Sequence, residues 1–275
     1  MPLPPPRDSQ ARDPQARAPQ PRAPRPATAK APPPKPFRIC GLPAVAAVFA
    51  RDPDRVQRLF YEERHRQAVG PFCARLAEAR KPYRLVEKEE LDRVAGTPLH
   101  GGVVAVAEPR QVLPFNPDWA RRWAAEGRPL LLLDGIGNPH NLGAIVRTAA
   151  FFGLDRLVIS DHPGQAQPSE SAYRVAEGGF EHVQIYRAER FAAAVRRLAE
   201  SYRVVGTALG GHPALGRLTG GPKPPAVLLG NEEDGLPAET LRACAELATL
   251  PGSGLVQSLN VAATAAILAW EMTRP

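Results

Sequence analysis

The chain has 275 residues, enough for one large or two ordinary domains, and an apolar share of 44% that is ample for a core. It holds no run of about 18 apolar residues, so no membrane-spanning helix is expected, and Pro and Arg interrupt the N-terminus where a secretory signal needs an apolar stretch. Three cysteines (Cys40, Cys73, Cys244), odd in number and far apart, fit neither a disulfide framework nor a zinc site, and the six histidines lack ligand spacing, so a cytoplasmic protein without a metal is expected.

The formal charge of +7 is unevenly placed. Residues 1–36 contain thirteen prolines and seven Lys/Arg against two acids, so this tail carries +5 and the remainder only +2. Such a stretch lacks the apolar side chains that would offset its ordering entropy and is expected to be disordered or locally polyproline II. Two readings stay open for it, a solubilising leader or an arm lying on RNA phosphates. The folded part is nearly balanced, so total charge is weak support for a nucleic-acid partner.

From Phe37 the texture becomes globular. Short β runs at Phe37–Cys40, Val56–Tyr61, Tyr83–Val86 and Gly102–Ala107 alternate with helical spacing at Pro43–Ala50 and Pro71–Arg80. This predicts a small α/β domain over residues 37–108. Residues 109–128, with Pro109, Pro114 and Pro117, read as a linker.

A second domain over 129–275 opens with Leu130–Leu133, a wholly apolar run of the kind expected in a strand covered on both faces. Further strands are predicted at Leu157–Ile159, His182–Ile185, Arg203–Thr207, Ala226–Leu229 and Ala248–Leu250. Helices are predicted between them at 142–152, 190–200, 238–245 and 258–272. The alternation implies an α/β fold with a mostly parallel sheet and helices on both faces.

Three segments of this domain put Gly, Asn or an ionisable residue directly after a strand, which in an open α/β sheet is the ligand-binding edge. The first, Asn138-Pro-His-Asn-Leu-Gly-Ala-Ile-Val-Arg-Thr-Ala149, leaves a strand for a helix, with Asn141 as the expected N-cap and Gly153 as the stop. Arg147 lies off the apolar stripe of Leu142, Ile145, Ala149 and Phe152, and leans toward the helix start. A dinucleotide fingerprint fits poorly, because its third glycine position is His140. The second segment, Leu229-Gly-Asn-Glu-Glu-Asp-Gly-Leu236, closes a strand with an acidic turn in which Gly230 admits a close neighbour and Gly235 suits φ > 0. Glu232 is the acid nearest the strand end. The third, Leu250-Pro-Gly-Ser-Gly-Leu-Val-Gln-Ser-Leu-Asn-Val261, leads into an Ala-rich helix that is apolar nearly all round. Its Gly-Ser-Gly is no serine-hydrolase elbow, since Pro251 stands where Gly is required.

At these residues the chain resembles the SpoU/TrmH branch of the SPOUT RNA ribose methyltransferases. Their N-x-G-x-x-x-R-[ST]-A stands here as Asn141 to Ala149, their G-x-E-x-x-G-[LM] as Gly230 to Leu236, and their S-L-N-V as Ser258 to Val261. The likeness covers about residues 129–272. The small domain, ending in His100-Gly-Gly-Val-Val-Ala105, is similar to the family's substrate-binding domain, and the Pro-rich extension resembles a poorly characterised bacterial tRNA/rRNA methyltransferase subgroup.

The resemblance implies a deep trefoil knot, a homodimer, an RNA partner and S-adenosylmethionine as methyl donor. It assigns Gly230, Leu250, Leu259, Thr207 and Pro251 to the adenosyl group, and Arg147, Asn141, Glu232, Ser258 and Asn260 to catalysis at a ribose 2′-hydroxyl of tRNA or rRNA. Arginine is effectively never neutral, so Arg147 is expected to hold a phosphate and stabilise developing alkoxide rather than take a proton. Ala262 departs from the serine that many members carry after S-L-N-V. The alternatives are a catalytically weak relative serving as an RNA-binding or assembly factor, and a different nucleotide-binding enzyme.

Overall fold

The computed structural model describes residues 36–210, 212 and 216–274. The tail expected to be disordered lies outside them up to residue 35.

The small domain is built from Phe37–Cys40 (β1), Leu42–Arg51 (α1), Val56–Tyr61 (β2), Arg66–Glu78 (α2), Tyr83–Leu85 (β3), Lys88–Ala95 (α3) and Val103–Ala107 (β4). Its sheet runs β1-β4-β2-β3, with β4 antiparallel to both neighbours and β2 parallel to β3. Helix α2 starts at Arg66, ahead of the expected Pro71. That proline forfeits the bond to the Gln67 carbonyl, yet the buried stripe of Val69, Cys73 and Leu76 keeps the helix in place. Helix α3 was not expected, because Leu91 and Ala95 alone bury one face of an otherwise charged stretch. Gly96, at φ 68, ends it in the left-handed conformation.

The large sheet takes Leu113–Pro114 (β5) from the segment read as a linker, which also carries Pro117–Ala125 (α4). There follow Leu130–Asp134 (β6), Pro139–Phe151 (α5), Arg156–Ser160 (β7), Glu170–Ala176 (α6), Gln184–Ala188 (β8), Phe191–Leu198 (α7), Arg203–Thr207 (β9), Pro225–Gly230 (β10), Ala238–Leu241 (α8), Glu246–Ala248 (β11) and Val261–Thr273 (α9). The order is β11-β9-β10-β6-β7-β8-β5, and every pair is parallel. Strand β6 shows why its run is apolar throughout. Leu131 and Leu133 enter the core that contains α5, α6 and α9, while Leu130 and Leu132 enter the core under α4 and α7.

Several expectations shift. Strand β8 begins at Gln184 rather than His182, because Gly179–Glu181 forms a 3-10 turn and His182 follows it. Strand β11 ends at Ala248, leaving Thr249 and Leu250 in the loop. Helix α5 starts earlier than expected: Asn138, not Asn141, is its N-cap and accepts from the His140 amide at 2.9 Å. At its far end Gly153 is left-handed, and the Gly153 and Leu154 amides donate back to Ala150 and Ala149.

The small domain is fastened to the large sheet by side chains of opposite charge. Arg55 pairs with Glu181 at 2.6 Å, where Glu181 is almost fully buried, and Glu170 pairs with the Arg38 guanidinium at 3.5 Å while accepting from the Arg38 backbone amide at 2.8 Å. Phe37 meets Tyr173 edge-on, so apolar packing backs these polar ties.

Candidate active site

Strand register sets the site. Gly230 lies opposite Asp134, Leu228 opposite Gly206, and Ala248 opposite Thr207. The loops after β6, β9, β10 and β11 therefore leave one edge side by side. The chain builds outward from β6 through β7 and β8 on one side, and then places β10 and β9 on the other. Between β6 and β10 the direction of building reverses, which is where open α/β sheets bind ligands.

At this reversal, residues from all three segments meet. The Asn141 amide group donates to the Glu232 carboxylate at 2.5 Å, and the Asn260 amide group donates to the Asn141 oxygen at 3.2 Å. Asn260 is also the N-cap of α9, accepting from the Ala262 amide at 2.8 Å. The start of α9 is thus capped by Asn260, and the alanine at 262 costs it no hydrogen bond.

The acidic turn is rigid for a reason no motif announces. Asn231 accepts from the Glu233 and Asp234 amides, exchanges backbone bonds with Gly235, and donates across to the Gly135 carbonyl at 2.9 Å. One side chain thereby ties the β10 loop to the β6 loop. A β-carbon on Gly230 would strike the backbone of Gly235 and Leu236, and Gly235 takes φ 72. Under this layer, buried Gln165 accepts from the Gly135 and Ile136 amides and donates to the Ile136 and Ala166 carbonyls. Buried Asp134 accepts from Thr240 at 2.7 Å. Burial, and then the Asp134 carboxylate, push the neighbouring Cys244 thiol up to about 11. It therefore stays protonated and is no nucleophile. Asn231, Gln165 and Thr240 were missed by sequence reasoning; only Asn231 carried a signal, as a turn-forming Asn beside Gly230.

The other expected residues are placed as follows. Thr207, at the end of β9, donates to the Leu228 carbonyl at 2.9 Å. Thr249 donates to the Ala208 carbonyl, so the third segment starts beside β9 and ends at Asn141, running along the sheet edge past β10. Leu250 is half-buried against the core, while Pro251, Ser258 and Leu259 are exposed. The backbone of residues 250–259 makes no backbone hydrogen bond among the described residues, and Leu255, Val256 and Leu259 present apolar surface beside it. Apart from the Leu255 amide, which donates to the Ser253 hydroxyl at 3.4 Å, these amides and carbonyls lie next to apolar cover and fit an adenosyl group, whose edge needs both a donor and an acceptor. Arg147 is not drawn into the Asn141 chain. Its guanidinium meets Glu177 at 2.8 Å, with both side chains about half exposed. No group of three or more His, Cys, Asp or Glu among the described residues is placed to hold a metal.

Comparison with known proteins points the same way. The family model described as SpoU rRNA Methylase family matches residues 128–270, and RNA 2′-O ribose methyltransferase substrate binding matches residues 38–113. The 23S rRNA (guanosine-2′-O-)-methyltransferase RlmB of Yersinia pestis is 33% identical over 86% of this chain and 96% of its own length. An uncharacterized tRNA/rRNA methyltransferase of Haemophilus influenzae is 32% identical over 62% of the chain, which spans 47% of that protein. Among solved structures, an AdoMet-bound rRNA methyltransferase from Sinorhizobium meliloti superposes with a TM-score of 0.69 at 26% identity, over 86% of this chain and 87% of the other.

Proposed function

The chain belongs to the SpoU rRNA methylase family and is an S-adenosylmethionine-dependent RNA 2′-O-methyltransferase, and from that premise we propose that it methylates a guanosine ribose of 23S rRNA. Coverage of nearly the whole length of the Yersinia pestis enzyme supports that substrate. The observation that carries the reading is the hydrogen-bonded chain Glu232–Asn141–Asn260, which joins all three expected segments at the sheet's reversal point.

In this reading, the backbone of 250–259, which makes no backbone hydrogen bond among the described residues, holds the donor with Thr207 and Gly230 at the adjoining strand ends. When bound, the donor would supply a sulfonium methyl to the ribose oxygen, an O–C bond forming as the S–C bond breaks to leave a thioether, with the hydroxyl proton lost to solvent. Glu232 fixes the Asn141 amide, and Asn260 fixes its oxygen, so these groups are preorganised without further ordering. Ser258 stands at the loop's exit as a further polar contact. Arg147 stays charged, pairs with the phosphate beside the target ribose and lowers the cost of developing alkoxide.

A second copy completes the proposal. Phe151, Ile267 and Trp270 are exposed on α5 and α9, and Phe152 packs between Phe151 and Trp270. An apolar face of this kind marks a contact surface, and we assign it to a homodimer. The return of the chain from edge strand β11 to α9, packed on α5 near the sheet's middle, supports the expected knot. No helix among the described residues is long and apolar enough to cross a membrane. Three unpaired cysteines support a cytoplasmic setting.

The test is transfer from tritiated S-adenosylmethionine to unmodified 23S rRNA, with the product mapped by its alkali-resistant linkage. A label on a base, or on tRNA and not rRNA, overturns the proposed substrate. Sedimentation of Trp270→Glu against the parent protein tests the dimer, which the charge is expected to dissociate.

A further inference from the structure

Arg147 is occupied. Its Nη2 contacts the Glu177 carboxylate at 2.8 Å, and neither side chain has another polar partner among the described residues. We propose that Glu177 is a positioning residue that holds Arg147 in the RNA-free protein and is displaced from it by a substrate phosphate; this rests on the role given to Arg147 above.

The backbone around Glu177 argues that its side chain is there for Arg147. Glu177 follows α6 at φ 45, a left-handed position that suits glycine. A cap with only a structural task is better served by Gly. The next two residues are seated from both sides. A β-carbon on Gly178 would lie 2.7 Å from the Ala47 side chain on α1, and one on Gly179 would lie 3.2 Å from the Arg147 backbone on α5. This turn therefore holds Glu177 at a set distance from Arg147, beside the junction between the small domain and the large sheet.

The pair is built to exchange. About half of each side chain is exposed, where an ion pair contributes little. Glu177 supplies one contact, whereas a phosphate matches the guanidinium fork with two oxygens. Replacing a carboxylate by a phosphate leaves Arg147 charged and paired throughout.

The experiment is Glu177→Gln, assayed for binding and transfer with an unmethylated 23S rRNA transcript over a range of salt. We expect Kd and KM for RNA to fall about two- to fivefold with kcat unchanged. Log K against log salt should keep its slope, because Arg147 meets the same phosphate in both proteins and only the competing carboxylate is gone. Glu177→Gly, which suits the backbone, gives the same shift if the carboxylate is what matters. In an Arg147→Ala background neither substitution should change binding. An unchanged KM, a salt slope steeper by about 0.7–0.9 (a phosphate contact that the parent lacks), a fall in kcat, or an effect that persists without Arg147 overturns the inference while leaving the role of Arg147 intact. Full transfer by Arg147→Ala alone overturns that role as well.

Discussion

Asn141 and Glu232 stand 91 residues apart in sequence and share a direct side-chain hydrogen bond. Because Asn260 bonds the other end of the same amide, Asn141 is held in one orientation from two separate loops. We expect Asn141→Ala and Glu232→Ala each to lower kcat/KM for methyl transfer about 10- to 100-fold, the range for a hydrogen bond to a charged group. The double variant should fall short of the product of the two, since both remove one interaction. Independent, multiplying losses would show that the pair does not act as a unit.

Arg147→Ala should lower the transfer rate by at least about 100-fold, with S-adenosylmethionine binding retained in calorimetry. Arg147→Lys should recover little, because an ammonium cannot match a phosphate with a planar fork. Equal loss of donor binding and of transfer would instead place Arg147 in the donor pocket.

Gly230→Ala introduces a methyl against the Gly235 and Leu236 backbone, which Asn231 ties to Gly135. The turn has no room to yield without losing that tie. We expect the Kd for S-adenosylmethionine to rise at least about tenfold, read by calorimetry on protein shown to be folded by circular dichroism.

Thr240→Val leaves the buried Asp134 without its 2.7 Å donor. Loss of one partner of a buried charged group costs about 1–3 kcal/mol, to be measured by urea unfolding. A change below about 0.5 kcal/mol would mean that Asp134 finds another donor.

The thiol of Cys244 predicts an alkaline response. Its value in the folded chain, pushed up to about 11 by burial and then by Asp134, lies above that of an unfolded thiol near 8.5. The folded state therefore binds this proton more tightly, and the resulting stability is fully present below the unfolded value. It fades as pH rises toward about 11. Iodoacetamide at pH 8–9 should leave Cys244 unmodified in the native protein and label it in urea, as read by mass spectrometry.

How much was legible follows from where each signal lies. Strands β1, β2 and β9 stand where their apolar runs begin and end, since burial on a sheet leaves a local record in sequence. Helix α3 left little record, because two apolar residues served to seat it. Helix α6 left none that was read, though its buried Ala172 and Tyr173 pack against α5, where Gly143 lets the Ala172 carbonyl come close. Strand ends misled wherever a turn took up the first residues, as at His182.

Chain order, hydrophobic runs and the three polar segments were enough to establish a parallel α/β sheet, the family and the residues to watch, because each of these is written in neighbouring positions. The tertiary structure alone decided that Asn141 bonds Glu232 and Asn260, that Asn231 and Gln165 brace the loops, and that Arg147 rests on Glu177. Those pairings depend on which strand lies beside which and on which way a side chain turns. Residues far apart in the chain fix both, so no local pattern contains them.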